Sequence, residues 1–484
     1  MNKSLFKNTI YKFLLSLFNL IIPVIIGPYT YRILGPDGMG MSNFSDSLFG
    51  YFLIFGAFGM YDYGLREVSR IRDNKEKLSN LFSSLFFFGM ITNISVLIIY
   101  IVFITTRYSS SNIFPILLIY SFNLISNIFY VEWANEALEN YNFITYKTIV
   151  VRIIHITLLL TFIKTSADLY KYSFLLILYT FLNNIISFFY IKKSINIKLS
   201  KIKIRKHIKP LFMVVILANA NILYTQLDRI ILGEYVSKPS VAYYGMAQSI
   251  MYMIATVMLN IIFVTVPRLS NYLGNNDEAS YINLLNKVTD IFFAFLFPAS
   301  LGLFVLSNEV ILLYGGKNFA ATIPVLKVFS IYMISFGIEA ILTKQIVYIK
   351  KKEKLLVYFI LVCGVLNLIS KIILLKLNLL TSSSAIITTC VSNSLLILIE
   401  YIYIKKSIKL DYNLLSLNRI KYIVASLLFI PITLLIRQYI TGTISIFIFG
   451  FIINAAVYFL ILLITKDKVL MFFINKILSK IKPK

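Results

Sequence analysis

Two cysteines, two histidines and one tryptophan stand among 484 residues, and acidic side chains number only 21. Each shortage excludes a class of protein. Cys363 and Cys390 both fall inside apolar runs, so they imply neither a disulfide framework nor a thiolate zinc site. His155 and His207 are far apart in the chain and argue no metal cluster. No Gly-rich phosphate loop or nucleophile elbow occurs. Between the apolar runs, the segments read as external are all short. An enzyme acting on glycans there would lack a segment to carry its acid and base. Neither a catalytic residue, nor a metal, nor a cofactor is expected.

What is plentiful is apolar surface. Hydrophobic residues make up 58% of the chain, and mean hydropathy is +0.81. The runs Ile91 to Ile104, Leu355 to Leu366 and Phe447 to Ile464 are apolar all round, whereas a soluble helix keeps a polar face. A helix needs about 20 apolar residues to cross roughly 30 Å of hydrocarbon. The expected fold class is therefore all-α: a polytopic membrane protein of about fourteen transmembrane helices. The spans read as 9–33, 43–62, 82–105, 113–131, 146–163, 171–191, 210–232, 241–264, 289–307, 322–348, 355–376, 381–404, 420–440 and 443–465. No small-residue cleavage site follows the first run, which is expected to remain as a span. Pro23 and Pro28 mark a bend within it.

The formal net charge is +26. In a soluble chain that would point to nucleic acid. Here the distribution is a topological signal. With the N-terminus placed in the cytoplasm, 34 of the 47 Lys and Arg fall on the cytoplasmic side and 8 outside. Positive charge is held inside, so both termini are expected to be cytoplasmic and the span number even. The densest basic segment, Lys192 to Lys209, has a second candidate role, that of holding anionic lipid headgroups.

A repeat organises the spans. The first ends Arg32-Ile33-Leu34-Gly35 and the seventh Arg229-Ile230-Ile231-Leu232-Gly233. Asp46 and Gln248 then occupy equivalent places at an offset of 202, as do Arg66 and Arg268. Six helices separate the copies, so both start in the cytoplasm, as in a parallel repeat about an axis along the membrane normal. The expected organisation is an N-lobe of spans one to six (1–191), a basic linker (192–209), a C-lobe of spans seven to twelve (210–404), and two further spans with a basic tail (405–484). Two lobes facing a common cavity suit a rocking transporter.

Ionisable residues within spans are costly and are functional candidates by default. Arg32 and Arg229 sit at equivalent outer ends of the first helix of each lobe, with Asp46 about equally deep across a short hairpin. Two readings stand: an Arg32–Asp46 ion pair that closes the hairpin with Arg229 snorkelling, or a cationic wall that binds a phosphate-bearing ligand through the planar arginine fork. Thr148, Arg152 and His155 share one face of the fifth span, where Arg152 either meets an anionic headgroup or pairs with the acidic stretch before it. Ser335, Glu339 and Thr343 line one face of the tenth span; Asn367, Ser370 and Lys371 cluster on the eleventh. Such stripes face a cavity or bond helix to helix. The basic candidates for a substrate cavity are thus Arg32, Arg152, Arg229, Lys344 and Lys371. Candidates for gating or coupling are Asp46, Asp228, Glu132, Glu136 and Glu339. Glu132, Glu136 and Glu139 stand at helical spacing just past the fourth span, placed to brace neighbouring basic loops.

The stretch from Gly27-Pro28-Tyr29-Thr30-Tyr31-Arg32-Ile33-Leu34-Gly35-Pro36 through Gly38-Met39-Gly40 resembles the opening signature of the bacterial polysaccharide flippases. These Wzx-type transporters of O-antigen, capsule and exopolysaccharide units belong to the multidrug/oligosaccharidyl-lipid/polysaccharide exporter superfamily. Further likeness lies in Tyr63-Gly64-Leu65-Arg66-Glu67, Trp133-Ala134-Asn135-Glu136-Ala137-Leu138-Glu139, Asp228-Arg229-Ile230-Ile231-Leu232-Gly233 and Tyr314-Gly315-Gly316-Lys317-Asn318-Phe319. Glu136-Ala137-Leu138-Glu139 departs from the family, where Gln-Gly-Leu-Glu is common. The resemblance implies an oligosaccharide on undecaprenyl pyrophosphate as substrate and alternating access between two lobes. It also implies a cationic cavity, membrane lipids around the chain, and a polymerase and glycosyltransferases as partners. A drug antiporter of the same superfamily usually has twelve spans and an acidic cavity, unlike this chain. A membrane glycan polymerase would need neither the repeat nor such short outside loops.

The charge bias generates a direct test. Cysteines introduced at Lys3 and Lys484 should be unreactive to an impermeant reagent in intact cells and reactive in opened ones. External labelling of either position contradicts the orientation.

Overall fold

Residues 5–198, 202–219 and 226–481 are described by the computed structural model of the chain, and they are helical almost throughout, with no strand among them. Contacts divide the chain into two compact units, Met1–Ala242 and Tyr243–Lys484.

The first unit opens with α1 (Leu5–Ala57), 53 residues long, far more than one crossing needs. It contains both the first and the second expected spans. The several-residue hairpin read between them is reduced to one non-helical residue, Gly35, at φ 67° and ψ −179°. A side chain there would strain the left-handed backbone, whereas glycine adopts it freely. Pro36 comes next and restarts the helix. At a first helical position its missing N–H removes no hydrogen bond, and its fixed φ suits the turn. The Gly35-Pro36 pair of the family-like signature is thus a helix break and restart.

After α1 come α2 (Met60–Ile71), α3 (Lys75–Tyr108), α4 (Phe114–Ile128), α5 (Glu132–Ala137), α6 (Tyr141–Phe162), α7 (Leu169–Lys192), α8 (Arg205–Asn219) and α9 (Leu227–Tyr235). The Asn74 side chain caps α3 by accepting from the Lys77 N–H at 3.0 Å. Met60, Tyr63 and Val68 of α2 pack with Phe82, Trp133 and Ala134 in one cluster. Trp133 is 1% exposed, and a Cβ on Gly64 would stand 2.6 Å from its ring. Two separated pieces of the signature, around Gly64 and around Trp133, are therefore one packing contact. His207, at the start of α8, is buried against the same region, its Nδ1 2.7 Å from the Tyr63 hydroxyl.

The second unit begins inside α10 (Lys238–Gly274) and continues with α11 (Glu278–Val305), α12 (Ser307–Tyr314) and α13 (Thr322–Ala340). The last runs directly into a π-helical turn, Ile341–Val347. Next come α14 (Glu353–Lys376) and α15 (Ser382–Tyr403), the latter opened by a reciprocal cap between Thr381 and Ser384. A second π-helical turn, Ile404–Ile408, follows. The chain ends with α16 (Leu417–Leu427), α17 (Phe429–Tyr439), α18 (Thr443–Ile464) and α19 (Lys468–Ile481).

Twelve helices among the described residues are long and apolar enough to cross a membrane, against fourteen read from sequence. One of the twelve, Phe18–Ile71, holds the first and second expected spans together. The expected seventh span, 210–232, falls partly on residues outside those described. Exposed side chains such as Ile99, Val264, Val391 and Phe451 would be a hazard in water. On spans whose backbone bonds are satisfied within each helix, they are the lipid-facing surface.

Two outcomes follow from the Tyr63–Trp133–His207 region. Gly64→Ala should overpack the Trp133 ring and destabilise the purified protein by about 1–3 kcal/mol; an unchanged thermal midpoint contradicts the contact. Burial, followed by the Lys206 charge, lowers the His207 pKa below its usual value of 6.5. The fold therefore favours the neutral ring. Its stabilisation is complete above about pH 6.5 and is lost as pH falls through the lower folded value. Thermal midpoints measured on acidification should fall more for the wild type than for His207→Gln; equal falls contradict it.

Candidate functional site

In the first unit, polar groups gather where α9 meets α1. Asp46 lies mid-helix in α1 yet is exposed, so it faces an open space instead of packed protein. Arg32, before the Gly35 break, is also exposed. The cation whose charge acts on Asp46 is Arg229 of α9, and Asp46 in turn acts on the phenols of Tyr120 and Tyr172. Its neighbour Asp228 is completely buried and acts on Tyr51. The two adjacent charges of α9 thus engage α1 at two levels. Beside the expected Arg32–Asp46 pair, the charge of Arg229 thus also acts on Asp46. Beside them, Lys238 stands 3.4 Å from the centre of the Phe44 ring, while Tyr108 donates to Glu234 at 2.6 Å.

A second group lies on α6 and α7. The Arg152 guanidinium sits 4.1 Å over the Tyr179 ring, and the His155 ring is 5.1 Å from the same phenol. Arginine is suited to this stacking because its planar cation is weakly hydrated. The charge of Glu132 also reaches Tyr179. Glu132 is itself held tightly: Lys147 donates to both its oxygens at 3.0 Å, and Ser187 donates to Oε2 at 2.6 Å. Lys147 also donates to Ser187 at 2.7 Å, closing a triangle between α5, α6 and α7. Lys147, at the edge of the expected span 146–163, is 8% exposed. Burying that ammonium costs less because it has both a carboxylate and a hydroxyl. The other acids of the segment take different partners. Tyr61 donates to Glu136 at 3.0 Å, and Arg72 donates to Glu139 at 2.6 Å.

The second unit holds Lys344, Lys371 and Glu339. Lys371 is fully buried and donates to Thr389 at 3.0 Å, where the Asn367 amide also donates at 3.2 Å. These bonds tie α14 to α15. Glu339 of α13 lies against Thr343 in the π-helical turn and near Glu400 of α15, with the Lys344 charge acting on both acids. Glu400 is absent from the sequence-based candidates. The signal was available: it is a lone acid in an apolar run of nine residues, Ser394 to Ile402. The buried pairs Arg437–Glu309 at 2.8 Å and Arg419–Asp290 at 2.6 Å also had no sequence signal, since 128 and 129 residues separate the partners.

The arrangement offers charge and hydrogen bonding. Of the five basic candidates, Arg32, Arg152 and Arg229 belong to the first unit, and Lys344 and Lys371 to the second.

Comparison with known proteins agrees with this architecture. A family model described as "Polysaccharide biosynthesis protein" matches residues 5–273. A protein of Escherichia coli (strain K12), provisionally named an O-antigen transporter, is 25% identical over 291 residues, 59% of this chain and 70% of its own length. Among solved structures, the lipid II flippase MurJ in an inward closed conformation superposes with a TM-score of 0.72, covering 95% of this chain and 99% of its own. At 18% identity that likeness concerns the fold. With more than half of its length matched by the family model, the chain belongs to the polysaccharide biosynthesis protein family.

Proposed function

We propose that this protein is a flippase that moves undecaprenyl-pyrophosphate-linked oligosaccharide units across a bacterial cytoplasmic membrane by alternating access. Both termini lie in the cytoplasm, and no bond in the substrate is made or broken. The observation that carries this reading is the set of charged side chains on and against α1. Arg32 and Asp46 are accessible within a membrane-crossing element, and the charge of Arg229 acts on Asp46.

The physical problem is the headgroup. Each hydroxyl taken into hydrocarbon without a hydrogen bond costs a few kcal/mol, and an unpaired phosphate far more. A polar route through protein lowers that barrier without chemistry. In this account the pyrophosphate competes with Asp46 for Arg229 and reaches Arg32 through the open side of α1. Arg152 holds its cation ready by stacking on Tyr179, where an anion can approach the free edge of the guanidinium. The acids Asp46 and Asp228 keep the arginines positioned when no substrate is bound.

The carrier's tail needs no polar route. In the second unit an apolar cavity of about 600 Å³, lined by Ile250, Pro298, Phe447, Phe451, Tyr458 and Phe473 among others, has the chemistry a polyprenyl chain requires. The linker expected at 192–209 and the lobes on either side of it supply the moving bodies in this reading. The finer choice among capsule, O-antigen and exopolysaccharide rests with the glycosyltransferases and polymerase that act beside it.

Alanine at Arg32 or Arg229 should reduce transport of a pyrophosphate-linked oligosaccharide in reconstituted vesicles by at least about tenfold, the loss of one charge-assisted contact. Membrane abundance should stay near wild type, and lysine should restore part of the rate. Wild-type transport by well-folded Arg32→Ala and Arg229→Ala proteins contradicts the cationic route. A parallel fall in abundance for Asp46→Asn and Arg229→Ala indicates instead that the pair only holds α1 to α9.

A further inference from the structure

Glu339 and Glu400, on α13 and α15, are 9% and 0% exposed. One hydroxyl lies between them. Thr343 Oγ1 is 3.2 Å from Glu339 Oε1, and 3.0 and 3.3 Å from the two oxygens of Glu400. A threonine hydroxyl has a single hydrogen. It donates to one carboxylate. Its contact with the other is a hydrogen bond only when that carboxyl brings a proton of its own.

Charge balance requires the same proton. Two ionised carboxylates this close in a dry interior repel strongly. The Lys344 ammonium cancels one of them, and one bound proton brings the cluster to neutrality, the state a membrane interior tolerates. A second feature points to a ligand. Asn393 is 4% exposed and within hydrogen-bonding reach of Glu339, and its Oδ1 has no partner. That oxygen is an acceptor available to a Glu339 carboxyl that swings its proton away from Thr343. The site also lies at the π-helical turn Ile341–Val347. Such turns forgo regular helical bonding and are frequent at functional sites. Other groups facing the cluster are few. The Glu400 charge reaches the Cys363 thiol of α14, whereas Tyr281 of α11 and Thr265 of α10 bond the adjacent Gln345.

We propose that Glu339, Thr343 and Glu400 form a site for one exchangeable proton, whose release drives α13 and α15 apart. On release the O–H bond of the Glu339 carboxyl breaks and the proton passes to water. Both carboxylates are then charged, Thr343 can serve only one, and their repulsion opens the pair. This inference does not rest on the lipid-linked substrate.

Infrared difference spectra of the full-length protein in vesicles, recorded between about pH 5 and 8, test the site. Acidification should raise the carbonyl band of one protonated carboxyl. The band should be lost in Glu339→Gln and Glu400→Gln, shifted in Thr343→Val, and kept in Glu278→Gln, an exposed acid. Should either glutamine variant fail to fold, Thr343→Val decides the matter. Spin labels on Ile331→Cys and Val391→Cys, with Cys363 and Cys390 replaced, read the motion. Their separation should grow as pH rises in the wild type and stay at the low-pH value in Glu400→Gln. A band identical in all variants, a band abolished by sodium ions at fixed pH, or a separation that ignores pH overturns the proposal.

Discussion

The constraint on which this molecule depends is the expense of a charge inside hydrocarbon. An ionised side chain in a span must have a counter-charge, a ring, a set of hydrogen bonds or access to water. Nearly every charged group placed in a crossing helix here meets one of these conditions in a specific way. Lys147 has Glu132 and Ser187; Lys371 has Thr389; Arg152 has the face of Tyr179; Glu339 and Glu400 share Thr343 beside Lys344. Asp46, on which the Arg229 charge acts, and Arg32 are both exposed as well. Their exposure is the feature on which the proposed headgroup route rests.

The same constraint explains how local features serve the whole. Gly35 and Pro36 let one chain segment supply two crossings with almost no loop, which keeps Arg32 and Asp46 on neighbouring stretches of α1. The α5 segment distributes its three acids to Lys147, Tyr61 and Arg72, so it braces α6, α2 and the loop beyond α2 at once. Its Trp133 packs into the space left by Gly64.

Much of this was legible in the sequence because the bilayer imposes a strong pattern. Continuous apolar runs mark the helices, and the placement of Lys and Arg sets the expected orientation. What was missed has identifiable causes. The break at Gly35 was read as a longer loop, because proline and glycine signal a turn without stating how tight it is. That the Arg229 charge acts on Asp46 has no sequence signal, because it depends on how α9 packs on α1. A lysine at the end of an apolar run usually snorkels; the burial of Lys147 depends on Glu132 and Ser187 arriving from other helices. Glu400 lies inside the expected span 381–404, but its partners Thr343 and Glu339 come from another helix. The π-helical turn that brings Thr343 to it has no sequence signature.

In the proposed function, the protein carries a polar headgroup through a membrane without chemistry, and the arginines on α1, α6 and α9 contact it. The most direct measurement is the translocation of a fluorescent undecaprenyl-pyrophosphate oligosaccharide in vesicles containing only the purified protein, compared with the same glycan on a neutral carrier. The account predicts protein-dependent movement that is faster for the pyrophosphate-linked form and is inhibited by inorganic pyrophosphate. Equal rates for the charged and neutral carriers, or rates no higher than in protein-free vesicles, would contradict it.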